Sequence, residues 1–267
     1  MKPRPHWSEK LPEWRARLRD VPRLLIACDF DGTLSPLVAH PELAVLHADV
    51  PVVLEDLAAL HPRVRLAVLS GRRLEDLAAR LAIRQEGLIL AGNHGLEMRG
   101  AGLDWVHPAA QGLRDTLDRL ASGLRAVAAR FDGAEVEDKG LSLTLHFRRV
   151  APQASADLLE ALARVDVPRG LQRLDGKMIA EFRPRLDWNK GSALRRILQR
   201  LGIPGAAAIF AGDDATDEDA FRELGATGLT VHVGPPHAES AACCHAHDPQ
   251  DVARLFAAFH AVLRGER

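Results

Sequence analysis

Leu24-Leu25-Ile26-Ala27-Cys28-Asp29-Phe30-Asp31-Gly32-Thr33 runs five apolar residues straight into two carboxylates. A short, uninterrupted apolar run predicts a buried strand of a parallel sheet. Ligands of such sheets gather at the carboxyl ends of the strands, which is where Asp29 and Asp31 would lie. Charged groups beside apolar surface must be paired or hold a metal. The Gly32-Thr33 turn is expected to leave backbone N–H groups free to meet an anion. Together these features suggest a carboxylate nucleophile, a neighbouring acid/base and a bound cation acting on a phosphate. Taken alone, the same letters would also suit a helix-capping turn or a calcium loop.

Working outward, residues 1–20 read as a short polar helix laid on the surface. After the acidic turn, a helix near Val50–Leu60 leads to a second apolar run, Val64–Leu69, ending in Ser70-Gly71-Arg72. Leu74–Leu81 reads as helical, and Gly87–Ala91 is a third strand that ends at Gly92-Asn93-His94-Gly95. Strands alternating with helices predict an α/β fold, a Rossmann-like doubly wound parallel sheet. The rhythm then changes. Leu113, Leu117, Leu120, Leu124 and Val127 recur at helical spacing, whereas Leu141–Arg148 alternates apolar and polar residues, as in an antiparallel strand. A second helix near Ala154–Arg164 follows, and Leu171–Leu174 and Lys177–Phe182 are expected to pair as a hairpin turned at Asp175-Gly176. Alternation resumes with a helix opened by Asn189-Lys190-Gly191 and a strand at Ala206–Ala211. That strand runs into Gly212-Asp213-Asp214, with Asp217 one turn later. The expected organisation is an N-terminal extension at 1–22, a catalytic core at 23–102 and 185–267, and an inserted α+β cap at 103–184.

Bulk properties exclude several classes. A net charge of −1 argues against general nucleic-acid or membrane-surface binding. No apolar stretch is long enough to span a bilayer, and residues 1–7 lack a signal-peptide core. Three cysteines do not suit a disulfide framework, so a cytoplasmic protein is expected. Lysine occurs only at positions 2, 10, 139, 177 and 190, which marks the three internal lysines for attention.

The polar groups after the apolar runs read as one phosphoryl-transfer set. Asp29 would attack phosphorus to give an aspartyl-phosphate, and Asp31 would protonate the leaving oxygen and then activate water. Asp213, with Asp29 and the backbone carbonyl of Asp31, would hold Mg²⁺, with Asp214 and Asp217 beside or just behind. Lys190 at a helix N-terminus and the Ser70 hydroxyl would bind phosphoryl oxygens.

DFDGT at 29–33, SGR at 70–72, Lys190 in WNKG and GDDATDED at 212–219 resemble the four motifs of the haloacid-dehalogenase (HAD) superfamily, and the insertion resembles its C2-type cap. Within that superfamily the strings DFDGTLSPL, AVLSGR, AGNHGLE, LHFR and GKMIAEFRP resemble trehalose-6-phosphate phosphatases over roughly residues 23–260. The resemblance implies the same catalytic and metal roles, with Gly32 and Arg72 among the substrate contacts. It assigns sugar recognition to Asn93 and His94 in the core and to Glu137, Lys139, Arg148, Lys177 and Glu181 in the cap. A phosphorylated disaccharide is the implied substrate, and association with a trehalose-6-phosphate synthase is left open. Phosphatases for sucrose phosphate or mannosyl-phosphoglycerate, a phosphomutase and a non-catalytic sugar-phosphate regulator remain alternatives at this point.

Period-2 geometry puts Glu137 and Lys139 on one strand face, and Lys177, Glu181 and Arg183 on one face of theirs, with Ala180 and Phe182 opposite. Such a face is either a wet outer surface or the polar side of a lid. Cys243-Cys244-His245-Ala246-His247 looks like a metal cluster, but adjacent cysteines lack the spacing that wraps zinc, so structural roles are expected.

Overall fold

Alternate residues of Leu24–Cys28 face opposite sides of a sheet, and both sides are covered. Leu24, Ile26 and Cys28 belong to one apolar cluster and Leu25 and Ala27 to another. A strand apolar throughout is therefore what the fold demands at this position. The computed structural model describes residues 4–38, 40–83, 86–176 and 178–266.

In chain order the elements begin with helix α1 (Trp7–Leu18), strand β1 (Leu24–Cys28), α2 (Val50–Ala58), β2 (Val64–Leu69), α3 (Leu74–Leu81) and β3 (Leu88–Gly92). They continue through β4 (Glu97–Gly100), β5 (Leu103–Val106), α4 (Pro108–Gln111), α5 (Arg114–Ala128), β6 (Glu135–Asp138), β7 (Leu143–His146) and α6 (Pro152–Ala163). The remainder are β8 (Leu171–Gly176), β9 (Ile179–Pro184), α7 (Lys190–Leu201), β10 (Ala208–Gly212), α8 (Asp217–Leu224), β11 (Leu229–Val233), β12 (Cys244–Ala246) and α9 (Pro249–Arg264). The chain forms two units, one of residues 1–105 with 188–267 and the other of residues 106–187.

The larger unit is built on a sheet in the order β12-β11-β10-β1-β2-β3-β4-β5. Neighbours from β12 to β3 are parallel, and β4 turns back antiparallel on β3. Registers align Cys28 with both Val68 and Ala211, and Leu69 with Ala91. The residues just past those positions therefore emerge along one edge, on strands about 4.8 Å apart. The division between the units falls after Trp105, because the β4–β5 strands prolong the large sheet instead of opening the insertion.

The smaller unit carries a sheet in the order β6-β7-β9-β8, all antiparallel. Leu143, Leu145, Ala180 and Phe182 face its core with α5 and α6 residues Leu117, Leu120, Leu124, Leu158 and Leu162. The hairpin differs from expectation. Asp175 and Gly176 still pair with Ala180 and Ile179, so the connection comes after Gly176, with Met178 at φ 63°. Ladder pairing has extended the strands past the Asp-Gly signal.

The N-terminal helix also departs from the surface location expected of it. Trp14 and Leu18 are fully buried, and Trp14 packs its ring against Phe259 of α9 at 5.6 Å. The helix is otherwise mostly charged and polar, so sequence polarity hid three anchoring side chains, Trp7, Trp14 and Leu18. Replacing Trp14 with alanine should lower unfolding stability by about 3–5 kcal/mol in denaturant titrations, whereas a surface helix would lose under about 0.5 kcal/mol.

Candidate active site

Asp29 leaves β1 with its backbone N–H donating to Ala211 O at 2.9 Å, which locks it beside the end of β10. Its carboxylate is nearly buried and meets the Lys190 ammonium at 3.0 Å. Lys190 is the first residue of α7, where Asn189 caps the helix by accepting from Ser192 N at 2.9 Å. That ammonium is 1% exposed and also donates to Asp217 Oδ1 at 2.7 Å, with Asp214 Oδ1 at 4.0 Å. Burial works against the lysine's charge, but Asp29, Asp217 and Asp214 hold it well above the ordinary lysine range.

Asp217 orders the loop around it. Its Oδ2 accepts from the backbone N–H groups of Asp213 and Asp214, both at 3.0 Å, while Oδ1 faces Lys190. Gly212 is required here, because a Cβ would come within 2.2 Å of Asp217 Cγ. Asp214 accepts from Thr216 N and Oγ1 and from Asp217 N, closing the turn that opens α8.

One carboxylate oxygen from each of Asp29, Asp213 and Asp217 lies within 4.8 Å of the others. Asp217 has both oxygens engaged, whereas Asp213 Oδ1 is buried with no hydrogen-bond partner. Burial pushes the Asp29 carboxyl up to about 7; Lys190 opposes that push, and Asp213 and Asp214 add to it. Burial, then Asp217 and Asp214, pushes Asp213 up to about 7 as well. An oxygen-only donor set with an unpartnered buried oxygen and unrelieved negative charge suits a hard divalent cation such as Mg²⁺. The residues present fit such an ion, to which Asp29 and Asp213 could each offer a carboxylate oxygen.

The turn after Asp29 is tighter than expected. Gly32 has φ 78°, and its N–H donates to Ser35 O at 2.7 Å, so this amide is not free for an anion. Its contribution is spatial, since a Cβ there would sit 2.1 Å from Asp213 Oδ2. Arg72 was expected among the substrate contacts. Here its guanidinium grips Asp31 through both oxygens, at 2.6 and 2.7 Å, and donates to Asp76 at 2.8 Å. Ser70 is buried, and its Oγ accepts from Arg72 N at 3.2 Å. Beside it, Asn93 and His94 adopt φ values of 50° and 55°, with their N–H groups donating to Arg72 O and Ser70 O. Glu97, which sequence reasoning did not single out, accepts from Asn93 Nδ2 at 2.7 Å and Leu74 N at 3.0 Å.

In the smaller unit, Glu137 on β6 stands opposite Thr144, which in turn stands opposite Glu181 on β9. Glu137 Oε2 meets His146 Nε2 at 2.8 Å and Lys139 Nζ at 3.9 Å. His146, a polar position of the alternating Leu141–Arg148 segment to which no role was assigned, is thus a member of this polar set. Arg148 lies exposed in the turn after β7, because that strand ends at His146 and not at 148. Lys177 lies outside the described residues.

Residues 27–247 match the model of the trehalose-phosphatase family. The chain belongs to that family. It is 35% identical over 217 residues to the trehalose-phosphate phosphatase of Mycobacterium marinum, covering 80% of this chain and 54% of that protein. An uncharacterized glycosyl hydrolase of Mycobacterium tuberculosis is 38% identical over 229 residues, covering 81% of this chain and 16% of that protein. The chain therefore spans about half, or far less, of the length of these curated relatives. A solved structure of a trehalose-6-phosphate phosphatase related protein superposes with a TM-score of 0.77 at 27% identity, covering 91% of this chain and 100% of that one. The α/β fold expected from the sequence agrees with that structure. No helix among the described residues is long and apolar enough to cross a membrane.

Crowded carboxylates store a cost that a bound cation would relieve. Asp213→Asn should raise the melting temperature of the chelator-treated protein by roughly 2–4 °C, about 1 kcal/mol, while abolishing the further rise that Mg²⁺ gives the wild type. Thermal scans with and without Mg²⁺ check both; an unchanged Mg²⁺ response in the variant would contradict the assignment of Asp213.

Proposed function

We propose that this chain is a Mg²⁺-dependent phosphomonoesterase that converts trehalose 6-phosphate to trehalose and inorganic phosphate. The observation that carries the reading is the buried Lys190 ammonium bridging Asp29 and Asp217, with Asp213 beside them. A pure binding protein has no use for a buried carboxylate held ready by a lysine at the end of a strand.

Lys190 engages Asp29 Oδ1, which leaves Oδ2 as the attacking atom. The Asp29 Oδ2–phosphorus bond forms as the bond from phosphorus to the sugar oxygen breaks. Asp31 gives its proton to that oxygen, so the sugar leaves as the neutral alcohol. Water then attacks phosphorus, Asp31 takes its proton, and the Asp29–phosphorus bond breaks to release phosphate. Arg72 donates to both Asp31 oxygens and so orients the carboxyl, while each oxygen keeps a second lone pair for the proton. Lys190 balances charge on the transferring group, and the Ser70 hydroxyl has a hydrogen to donate to it. Mg²⁺, when bound by Asp29, Asp213 and the Asp31 carbonyl, supplies charge neutralisation for the phosphoryl oxygens.

Sugar recognition is assigned to Asn93 and His94 and, in the smaller unit, to Glu137, Lys139, Arg148, Lys177 and Glu181. Support comes from the chemistry of the Glu137–Lys139–His146 set, whose carboxylate and ammonium groups suit sugar hydroxyls. The family match and the relative named as a trehalose-phosphate phosphatase favour this substrate.

Phosphate release from a panel of sugar phosphates, with and without Mg²⁺, tests the reading. Trehalose 6-phosphate should exceed glucose 6-phosphate by at least about tenfold in kcat/KM, and Asp29→Asn should lower kcat by about 10³ or more without unfolding the protein. Equal rates on both substrates would refute the substrate, and an active Asp29→Asn variant would refute the mechanism.

A further inference from the structure

Outside the phosphoryl-transfer cluster, a second group of metal-competent side chains comes together where the chain's beginning meets its end. His6 is the N-cap of α1, His247 follows β12, and Asp251 lies in the first turn of α9. One donor atom of each lies within 4.8 Å of the other two. His6 Nε2 is 2.7 Å from Asp251 Oδ2, and the His6 and His247 rings stack at 4.9 Å with 19° between their planes. We propose that His6, His247 and Asp251 form a binding site for a borderline transition-metal cation, zinc foremost, that clips the N-terminal segment to α9.

The surroundings are those that fix ligands for a metal. Asp251 is 4% exposed, and its Oδ1 accepts from the Trp7 indole N–H at 3.1 Å while Oδ2 accepts from the His247 backbone N–H at 2.9 Å. These donors orient the carboxylate from behind, as outer partners of metal sites do. His6 Nδ1 accepts from the Ser8 backbone N–H at 3.4 Å and lies 2.8 Å from Ser8 Oγ, so without a metal Nε2 holds the proton donated to Asp251, and a bound cation would replace that proton. The exposed His247 gives entry from solvent. Zinc binds imidazole and carboxylate at about 2.0–2.2 Å, which places tetrahedral ligand atoms about 3.3 Å apart. The His6–Asp251 contact would therefore open by about half an ångström, with water completing the shell. Two imidazoles and one carboxylate favour zinc, cobalt or nickel over Mg²⁺, which separates this site from the all-oxygen cluster.

His245 adds a third imidazole at the rim. Its ring lies 5.4 Å from that of His6 and 5.2 Å from that of His247. Its Nδ1 faces the carbonyls of Arg4 and Pro5 and so carries the proton, which leaves the lone pair on Nε2. Cys243 and Cys244, by contrast, both turn their sulfurs to Thr230 O, so the adjacent cysteines that flagged this stretch in the sequence are not the ligands.

The full-length protein, stripped with chelator and held in excess Mg²⁺, should bind one equivalent of Zn²⁺ by calorimetry and show a higher melting temperature. Co²⁺ in its place should give the visible absorption of a tetrahedral nitrogen–oxygen site without a thiolate charge-transfer band. His247→Ala should weaken Zn²⁺ binding tenfold or more and remove the thermal shift, while leaving the Mg²⁺-dependent phosphatase rate unchanged. Asp251→Asn should weaken it similarly, and Cys243→Ser should leave it intact. No saturable Zn²⁺ binding in Mg²⁺, or binding equal in wild type and His247→Ala, would overturn the proposal.

Discussion

A lysine ammonium that is 1% exposed, held between Asp29 at 3.0 Å and Asp217 at 2.7 Å, is the contact on which the rest of the site depends. Neither charge could be buried there alone, since an isolated ion in a protein interior costs several kcal/mol. Each partner fixes a different part of the molecule. Lys190 brings the start of α7, Asp29 the end of β1, and Asp217 the start of α8 together with the backbone of the Gly212–Asp214 loop. Removing the ammonium would leave three acidic groups facing one another in a buried space. The charges proposed to carry out the chemistry thus also hold the site together.

Strand register supplies the positioning that electrostatics alone would not. Because Cys28, Val68 and Ala211 lie side by side, the residues that follow each emerge on one edge without a long loop to place them. Two glycines then allow the loops to close tightly. A side chain at Gly32 would strike Asp213, and one at Gly212 would strike Asp217. The Arg72 fork adds a restraint of a different kind, holding the Asp31 carboxylate by both of its oxygens.

Much of this was legible in the sequence because the chemistry is local. Five apolar residues followed by two carboxylates define both a strand and its functional end, and largely apolar runs that end in polar residues at 64–72 and 206–214 reveal the shared edge. What stayed hidden depends on contacts between distant residues. Trp14 looks like one aromatic on a charged helix until α9 supplies Phe259. The Asp175-Gly176 pair reads as a turn until the ladder to β9 continues through it. Arg72, a substrate contact by resemblance, gives no sign in the sequence that Asp31 and Asp76 fold against it. His6 and His247 stand 241 positions apart, so no spacing rule could join them.

The most direct measurement is phosphopeptide mapping of protein acid-quenched during turnover of trehalose 6-phosphate. One phosphoryl group should be found on the peptide containing Asp29, and it should be absent when Lys190 is replaced by methionine. Phosphate release with no phosphorylated Asp29, or a phosphoryl group on another residue, would contradict the account.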